Sequence, residues 1–208
     1  MGPLAADTSR GLSQGPDVGI AARECAHRSR PKRRLTLHIL FVCMGNICRS
    51  PTAERLAVAY GSQVQAHEFK ASSAGTRAVI ANPIHPEAAR VLERLGGDSE
   101  DFAARQITPR IASDADLVIT MERAHRDAVL RLAPRQLHRT FTLTEAALLV
   151  SEQNAQSVAD LGALRPHLDS NSAPDIEDPI GQDSDFFARI GAQIAELLPP
   201  VLEICMRK

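Results

Sequence analysis

The chain has 208 residues, of which 44% are hydrophobic and 24% are charged, and its formal net charge at pH 7 is −1. This length and hydrophobic content are enough for one sizeable core. No stretch approaches the ~20 consecutive apolar residues of a membrane-spanning helix, so the sequence predicts no membrane span.

Residues 1–34 differ in composition from the rest of the chain. They hold seven Lys/Arg and three acidic residues, a net charge of +4, and the remaining residues carry −5. This head is rich in Gly, Pro and Ser and lacks both an apolar period and the apolar middle of a secretory signal. We therefore predict a disordered basic head at 1–34 and a folded domain at 35–208. Contact with anionic lipid or nucleic acid is one interpretation of the basic cluster 31–34. A solvated tail or an overextended start is the favoured interpretation, so no nucleic-acid partner is expected.

After the head, strand-like and helix-like segments alternate along the chain. Strands are predicted at 36–42, 67–72, 116–121 and 136–141. Helices are predicted at 50–62, 85–96, 122–133, 142–167 with a break, and 183–206. This alternation predicts an α/β fold with three layers (αβα), in which a four-stranded parallel sheet has helices on both faces. The stretch 151–177 is polar and irregular in part, and its segment 169–174 has strong turn chemistry, so a mobile surface loop that leads into the Asp178 region is predicted.

The segment Cys43–Ser50 carries the strongest chemical signal in the chain. It follows the nearly continuous apolar run 37–42, which is typical of a strand buried on both faces, and it leads into a helix that Ser50 can cap, with Pro51 in the first turn. A helix N-terminus and consecutive loop N–H groups bind anions, and the Arg49 guanidinium can grip two oxygens of a phosphoryl group. The same donors favour a Cys43 thiolate, which is the nucleophilic form. Cys43, Ser73 and Met121 are expected at the carboxyl ends of three strands, where such sheets bind ligands.

The segment from Val42 to Glu54, with the sequence VCMGNICRSPTAE, resembles the phosphate loop of the low-molecular-weight protein tyrosine phosphatases. The resemblance continues through Ser72–Thr76, Ala104–Ile107, Asp116–Met121 and Asp178–Pro179, and covers roughly residues 36 to 205. It implies the fold described above and the hydrolysis of phosphate monoesters, with protein phosphotyrosine or a small aryl phosphate as substrate, through a phosphocysteine intermediate.

The resemblance also implies roles for individual residues. The implied catalytic residues are Cys43 as nucleophile, Arg49 as the phosphate-gripping cation and Asp178 as general acid and then base. The implied phosphate-binding residues are Met44, Gly45, Asn46, Ile47, Cys48, Arg49 and Ser50. Asn46 and Ser73 resemble the pair that braces the loop, and Ser50 resembles the hydroxyl that hydrogen-bonds the thiolate. Three nearby acids, Asp175, Asp183 and Asp185, are alternatives to Asp178.

The chain departs from the family pattern at two places. Many relatives carry a histidine three residues before the Arg of the Ala-Arg-Gln segment, and this residue helps to brace the loop asparagine. Phe102 stands at that position here. Many relatives also place aromatic residues after the late Asp-Pro, where Ile180 and Gly181 follow here, and the loop 77–82 has no aromatic residue either. Stacking on a substrate ring is therefore expected to be weak.

The four cysteines have no regular spacing, so no disulfide framework is predicted and the cytoplasm is the expected compartment. Cys48 resembles a second loop cysteine that forms a reversible disulfide with Cys43 in parts of the family; a small apolar filler is the alternative interpretation. The seven histidines show no metal-ligand spacing. No metal site or cofactor is expected, because the loop and Arg49 supply the positive field.

Two other functions remain open from the sequence. A thiol-dependent arsenate reductase on the same fold would need further cysteines to resolve an adduct at Cys43, and the chain lacks a closely spaced downstream pair. A non-catalytic protein that binds phosphorylated ligands through an intact loop is suggested by the Phe102 and Ile180 departures. The sequence predicts neither the oligomeric state nor the physiological substrate.

Overall fold

The computed structural model describes residue 2 and residues 36–66, 68–169 and 172–206. Apart from Gly2, the predicted head, including Cys25, lies outside the described residues. The boundary between the head and the domain therefore stays a prediction. Among the described helices, none has the length and apolar character needed to cross a lipid bilayer.

Four parallel strands form the centre of the domain. They are β1 (Leu37–Cys43), β2 (Phe69–Gly75), β3 (Leu117–Thr120) and β4 (Thr140–Thr142). Their order in the sheet is β2-β1-β3-β4, and each neighbouring pair is parallel. The strand β1 lies between two others because its run Ile39–Val42 is apolar throughout, and these four residues are fully buried.

Helices cover both faces of this sheet. They are α1 (Arg49–Gln63), α2 (Pro86–Arg94), α3 (Pro109–Ser113), α4 (Arg123–Leu132), α5 (Leu143–Ser151), α6 (Val158–Leu164) and α7 (Ser184–Met206), with 3₁₀ helices at Pro134–Arg139 and Arg165–His167. Alternate residues of β1 point to opposite faces. Ile39 and Phe41 join a core with α1, α5, α6 and α7, whereas Leu40 and Val42 join a second core with α3 and α4. The predicted three-layer α/β fold is confirmed.

Two details of the predicted elements are wrong. The strand expected at 136–141 begins only at Thr140, because Pro134 starts a 3₁₀ helix that runs to Arg139. The helix predicted at 142–167 with a break is present as α5, α6, which Ser157 caps, and the 3₁₀ helix Arg165–His167. The helix α3 has only five residues, too few to show an apolar period, although Thr108 before Pro109 is a helix start signal.

The register of the strands brings three strand ends to one edge of the sheet. Cys43 at the end of β1 aligns with Gly75 at the end of β2, and Val42 aligns with Thr120 at the end of β3. The segments that follow these strands are therefore neighbours, as the position of ligand sites in parallel sheets requires.

Candidate active site

The loop after β1 closes tightly onto the first turn of α1. Asn46 has a φ of 55°, in the left-handed region that asparagine tolerates better than most residues. The helix begins at Arg49, and Cys48 is its N-cap residue without a side-chain cap. The prediction that Ser50 caps this helix is wrong, because the helix starts earlier and Ser50 lies buried in its first turn.

Most carbonyl groups of this loop are hydrogen-bonded to other parts of the backbone. Five carbonyl oxygens accept backbone hydrogen bonds from residues that follow the loop: those of Cys43, Met44, Gly45, Ile47 and Cys48. In a trans peptide the N–H points opposite to the C=O, so the N–H groups that follow these carbonyls point the other way. The described residues offer no acceptor to the N–H groups of residues 44–48. This arrangement leaves a set of donors free to hold an oxyanion.

The Cys43 side chain lies beside these donors. Its Sγ atom is 3.0 Å from Ser50 Oγ, and Cys43 is only 2% exposed. Ser50 Oγ also accepts a hydrogen bond from Asn46 Nδ2 at 3.0 Å. Since Ser50 Oγ already accepts from Asn46, its own hydrogen is available to donate to the sulfur. This geometry suits a thiolate at Cys43.

A second set of contacts holds Asn46 in place. Asn46 Nδ2 donates to Ser73 Oγ at 2.8 Å, and Asn46 Oδ1 accepts from the backbone N–H of Arg105 at 2.8 Å. The Ser73 hydroxyl donates in turn to Glu54 Oε2 at 2.5 Å. Every polar atom of the Asn46 side chain is therefore hydrogen-bonded, and the loop is anchored to α1, β2 and the segment at 105.

Phe102 plays no part in this network. The guanidinium carbon of Arg55 lies 5.7 Å from the centre of its ring, a cation–π contact beside the network. The Ser73 hydroxyl donates to the Glu54 carboxylate, so the hydrogen-bond network that holds Asn46 is complete without a histidine at position 102. The sequence interpretation did not identify Glu54 or Arg105, although Glu54 lies one turn after Ser50 on α1.

Arg49 is the most deeply buried cation of the site. It is 1% exposed, and its Nη1 atom donates to Glu122 Oε1 and, at 2.7 Å, to the carbonyl oxygen of Ile176. Its Nη2 atom donates to Asp178 Oδ2 at 2.6 Å. Its Nε atom is buried and has no partner among the described residues. An unpartnered charged N–H is costly, so Arg49 retains a donor suited to an anionic oxygen.

Of the four aspartates that the sequence offers as the general acid, Asp178 is the one that contacts Arg49. Its Oδ2 atom accepts from Arg49, and its Oδ1 atom accepts from the backbone N–H of Ile180 at 3.2 Å. The other acids in this region have different contacts: Asp175 accepts from the backbone N–H of Arg123 at 2.8 Å, and Asp183 accepts from that of Phe186 at 2.9 Å. Asp185 is an exposed residue of the first turn of α7. Asp178 alone among these four contacts Arg49.

Glu122 is a site residue that the sequence interpretation missed. It is the N-cap residue of α4 but makes no side-chain cap, because its carboxylate bonds Arg49. Its position two residues after the end of β3, at the ligand-binding edge of the sheet, was the signal available in the sequence. His125, 3% exposed, has its Nε2 atom 3.8 Å from the same carboxylate. Neither ring nitrogen has a hydrogen-bond partner among the described residues.

We expect His125 to make the domain less stable in acid. Burial lowers the pKa of His125 below its ordinary value of 6.5; Glu122 opposes this shift and Arg49 adds to it. Below pH 6.5 the unfolded chain therefore binds more protons than the folded one, and the free energy of unfolding falls as the pH falls. Above that pH both states are neutral at this residue. The slope contributed below pH 6.5 is at most about 1.4 kcal/mol per pH unit.

Urea unfolding of the wild type and of His125→Gln, measured across this pH range, checks the expectation. The variant should show a shallower decline. His38→Gln is the matched comparison variant. The pKa of His38 is also lowered mainly by burial, and His38 lies at the end of β1 that is away from the candidate active site. The effects of His125→Gln and His38→Gln on the free energy of unfolding should be additive. An unchanged slope in His125→Gln would contradict the assignment.

Cys48, the second cysteine of the loop, is buried in an apolar environment. It is 6% exposed and packs in an apolar cluster with Val91, Leu92 and Phe187. Burial raises the pKa of the Cys48 thiol well above its ordinary range, and the neighbouring Cys43 adds to this shift. Cys43 and Cys48 are both free thiols. The packing agrees with an apolar filler, and the reversible disulfide stays a prediction.

Comparisons with known proteins agree with the fold and with the site geometry. Residues 38–160, more than half of the chain, match the family model described as low molecular weight phosphotyrosine protein phosphatase. Wzb of Escherichia coli K12, a low molecular weight protein-tyrosine-phosphatase, is 41% identical over 97 residues, or 47% of this chain and 63% of Wzb. The match thus spans somewhat less than two thirds of that relative.

Solved structures are similar over more of the chain. The low molecular weight protein tyrosine phosphatase of T. tengcongensis has a TM-score of 0.64 and 27% identity, covering 81% of this chain and 99% of its own. The tyrosine phosphatase AmsI of Erwinia amylovora has a TM-score of 0.61 and 27% identity, covering 80% and 91%. The chain therefore belongs to the low molecular weight phosphotyrosine protein phosphatase family.

Proposed function

We propose that this chain is a phosphatase that hydrolyses phosphate monoesters through a phosphocysteine intermediate, with protein phosphotyrosine as its substrate. One observation carries the proposal: Cys43, a run of unpartnered loop N–H groups and the Arg49 guanidinium belong to one short loop. A nucleophile then lies beside donors for the phosphoryl oxygens, where positioning and charge stabilisation dominate phosphoryl transfer. The tyrosine phosphatase names of its relatives support the choice of phosphotyrosine.

The proposed reaction has two displacements. The Cys43 thiolate attacks phosphorus, the bond to the leaving oxygen breaks, and Asp178 donates a proton to that oxygen. Water then attacks the phosphocysteine while Asp178 takes its proton, and the Cys43 thiolate leaves with help from the Ser50 hydroxyl 3.0 Å away. Arg49 and the loop N–H groups hold the non-bridging oxygens in both steps. The positive field thus comes from the protein, and no cofactor enters these steps.

Release of phosphate from phenyl phosphate and from a phosphotyrosine peptide tests the proposal. We expect turnover of both, and phosphate bound to Cys43 in samples quenched with acid during turnover. Binding of inorganic phosphate with no turnover of either compound at any pH would favour a non-catalytic phosphate binder.

An arsenate reductase is less compatible with the described residues. That reaction needs an accessible second thiol to resolve the adduct at Cys43. Burial raises the pKa of the Cys205 thiol to about 12, and this side chain is 6% exposed in the core around α7. Cys205 is therefore poorly suited to the role.

We also propose that the protein acts in the cytoplasm. The proposed nucleophile must be a reduced thiol, and the cytosol keeps thiols reduced. The free state of Cys43, Cys48 and Cys205 supports this location.

Replacing Asp178 by asparagine should lower kcat by about 10²- to 10⁴-fold. Asparagine keeps an oxygen that can accept from Arg49 but cannot donate the proton that the leaving group needs. The loss should be smaller for 4-nitrophenyl phosphate than for phenyl phosphate, because nitrophenolate leaves without protonation. Steady-state rates with both esters measure this difference. Asp185→Asn, an exposed neighbour, is the control, and an equal loss with both esters would argue against Asp178 as the acid.

A further inference from the structure

Exposed apolar side chains are concentrated around the candidate active site. Nine large hydrophobic side chains are exposed among the described residues, and four of them lie on three segments that meet at the phosphate loop. These four are Met44, Val79, Ile80 and Ile180, with exposed fractions of 44%, 43%, 65% and 45%. Exposed apolar side chains that are grouped in this way mark a surface that contacts an apolar ligand. We call these four residues the aliphatic rim.

The segment that carries Val79 and Ile80 is fixed to the phosphate loop. The backbone N–H groups of Arg77 and Val79 donate to the carbonyl oxygens of Met44 and Gly45, each at 2.9 Å. The contact is close: a side chain at Gly75 would come within 2.5 Å of the Met44 carbonyl oxygen. A methyl group added to Gly45 would lie 3.6 Å from Val79 Cγ2, so the Val79 side chain packs against the phosphate loop itself.

The other side of this segment is fixed as well. Gln106 accepts from the backbone N–H of Ala78 at 2.9 Å and donates to the carbonyl oxygen of Thr76 at 3.0 Å. The backbone N–H of Ala81 donates to the carbonyl oxygen of Ala104 at 2.8 Å. Val79 and Ile80 are thus exposed on a backbone that is held from two sides, which is the condition for a preformed contact surface.

Ile180 belongs to the segment of the proposed acid. Its backbone N–H donates to Asp178 Oδ1, and Asp178 Oδ2 accepts from Arg49. A leaving oxygen that receives a proton from Asp178 must lie near this carboxylate. The organic group on that oxygen therefore extends past the segment that carries Ile180.

We propose that the aliphatic rim binds the hydrocarbon group of the phosphate monoester and selects substrates by apolar size, accepting saturated rings as readily as aromatic ones. The proposal rests on the proposed function and adds a substrate class to it. Aliphatic side chains stabilise a ligand through the apolar area they cover, whatever its electronic structure. Aromatic side chains would add ring stacking, which favours aromatic ligands, and the rim contains none.

Non-hydrolysable phosphonates test the rim without requiring turnover. Calorimetry should be carried out on the full chain with methylphosphonate, benzylphosphonate and cyclohexylmethylphosphonate. We expect benzylphosphonate and cyclohexylmethylphosphonate to bind with similar affinity, and both to bind about tenfold more tightly than methylphosphonate. Cyclohexylmethylphosphonate binding tenfold more weakly than benzylphosphonate would overturn the proposal, because it would mean that the site recognises the aromatic ring.

The double variant Ile80→Ser with Ile180→Ser tests the assigned residues. Both side chains are exposed, so the fold should tolerate the changes. We expect the advantage of the two large phosphonates over methylphosphonate to fall to about twofold, with methylphosphonate affinity unchanged. Leu137→Ser is the matched control, because Leu137 is 48% exposed and lies before β4, at the opposite edge of the sheet. If the two large phosphonates keep their full affinity advantage over methylphosphonate in the double variant, the proposed role of the aliphatic rim is wrong.

The rim and the phosphatase proposal fail in different ways. Phosphonate binding with the expected rim dependence, but without hydrolysis of any ester, supports the rim and contradicts catalysis. If the protein hydrolyses phenyl phosphate but binds all three phosphonates with the same affinity, the role of the aliphatic rim is contradicted and the proposed catalysis is not. The absence of any phosphonate binding would contradict both.

Discussion

Replacing Cys43 by serine should abolish phosphate release from phenyl phosphate, with a fall of about a million-fold, as for the loss of other enzymatic nucleophiles. A serine hydroxyl must lose a proton to attack phosphorus, and the one side-chain hydrogen-bond partner described at this position is the Ser50 hydroxyl, which is no base. The variant should still bind inorganic phosphate, because the loop N–H groups and Arg49 are unchanged. Initial rates and calorimetry with phosphate measure the two effects separately.

Cys205→Ala is the control for this experiment. Cys205 is also a buried free thiol, but it lies near the end of α7. Its replacement removes a cysteine without touching the loop, so turnover should persist. A Cys43→Ser protein that binds phosphate and keeps its rate would show that another group is the nucleophile.

The parts of the fold that were predicted correctly are those with strong local signals. The run 37–42 is apolar apart from His38, as is typical of a strand buried on both faces, and β1 is found there. A strand was predicted at 136–141 in place of the 3₁₀ helix Pro134–Arg139, although the proline at the start of this segment favours a helical turn. Short elements such as α3 and β4 depend on their tertiary neighbours more than on their own period.

The same distinction applies to the site, where residues close in the sequence were predicted and contacts between distant residues were not. Cys43, Asn46, Arg49 and Ser50 lie within eight residues, so their motif is visible in the sequence. The Arg49–Glu122 contact joins residues 73 apart, and the Asn46–Arg105 contact joins residues 59 apart. Such pairs become neighbours only when parallel strands align their carboxyl ends. No local sequence pattern predicts these contacts.

The departure at Phe102 illustrates the limit of comparing positions one at a time. Without a histidine there, the sequence indicated a weakened brace on Asn46. The structure shows that the Ser73 hydroxyl donates to Glu54 and that the Arg105 backbone donates to Asn46. The requirement is a satisfied asparagine side chain, and more than one set of partners can meet it.

Replacing Arg49 by lysine should lower kcat/KM by about 10³- to 10⁵-fold, even though the charge is kept. The guanidinium uses Nη1 for Glu122 and the Ile176 carbonyl, uses Nη2 for Asp178, and keeps Nε for the substrate. An ammonium group is one point with three donors and cannot reach all of these partners from a single position. A lysine that hydrogen-bonds Glu122 therefore cannot also bind the phosphoryl oxygens and contact Asp178.

Steady-state kinetics with phenyl phosphate and calorimetry with inorganic phosphate measure the two consequences. Both the rate and the phosphate affinity should fall, in contrast to Cys43→Ser, for which only the rate falls. Arg90→Lys is the control, because Arg90 pairs with Glu87 on the exposed surface of α2. Circular dichroism should show that the Arg49→Lys protein is folded at the assay temperature. A folded Arg49→Lys protein with kcat/KM within tenfold of the wild type would mean that the fork geometry of Arg49 is unnecessary, and that charge alone holds the phosphoryl group.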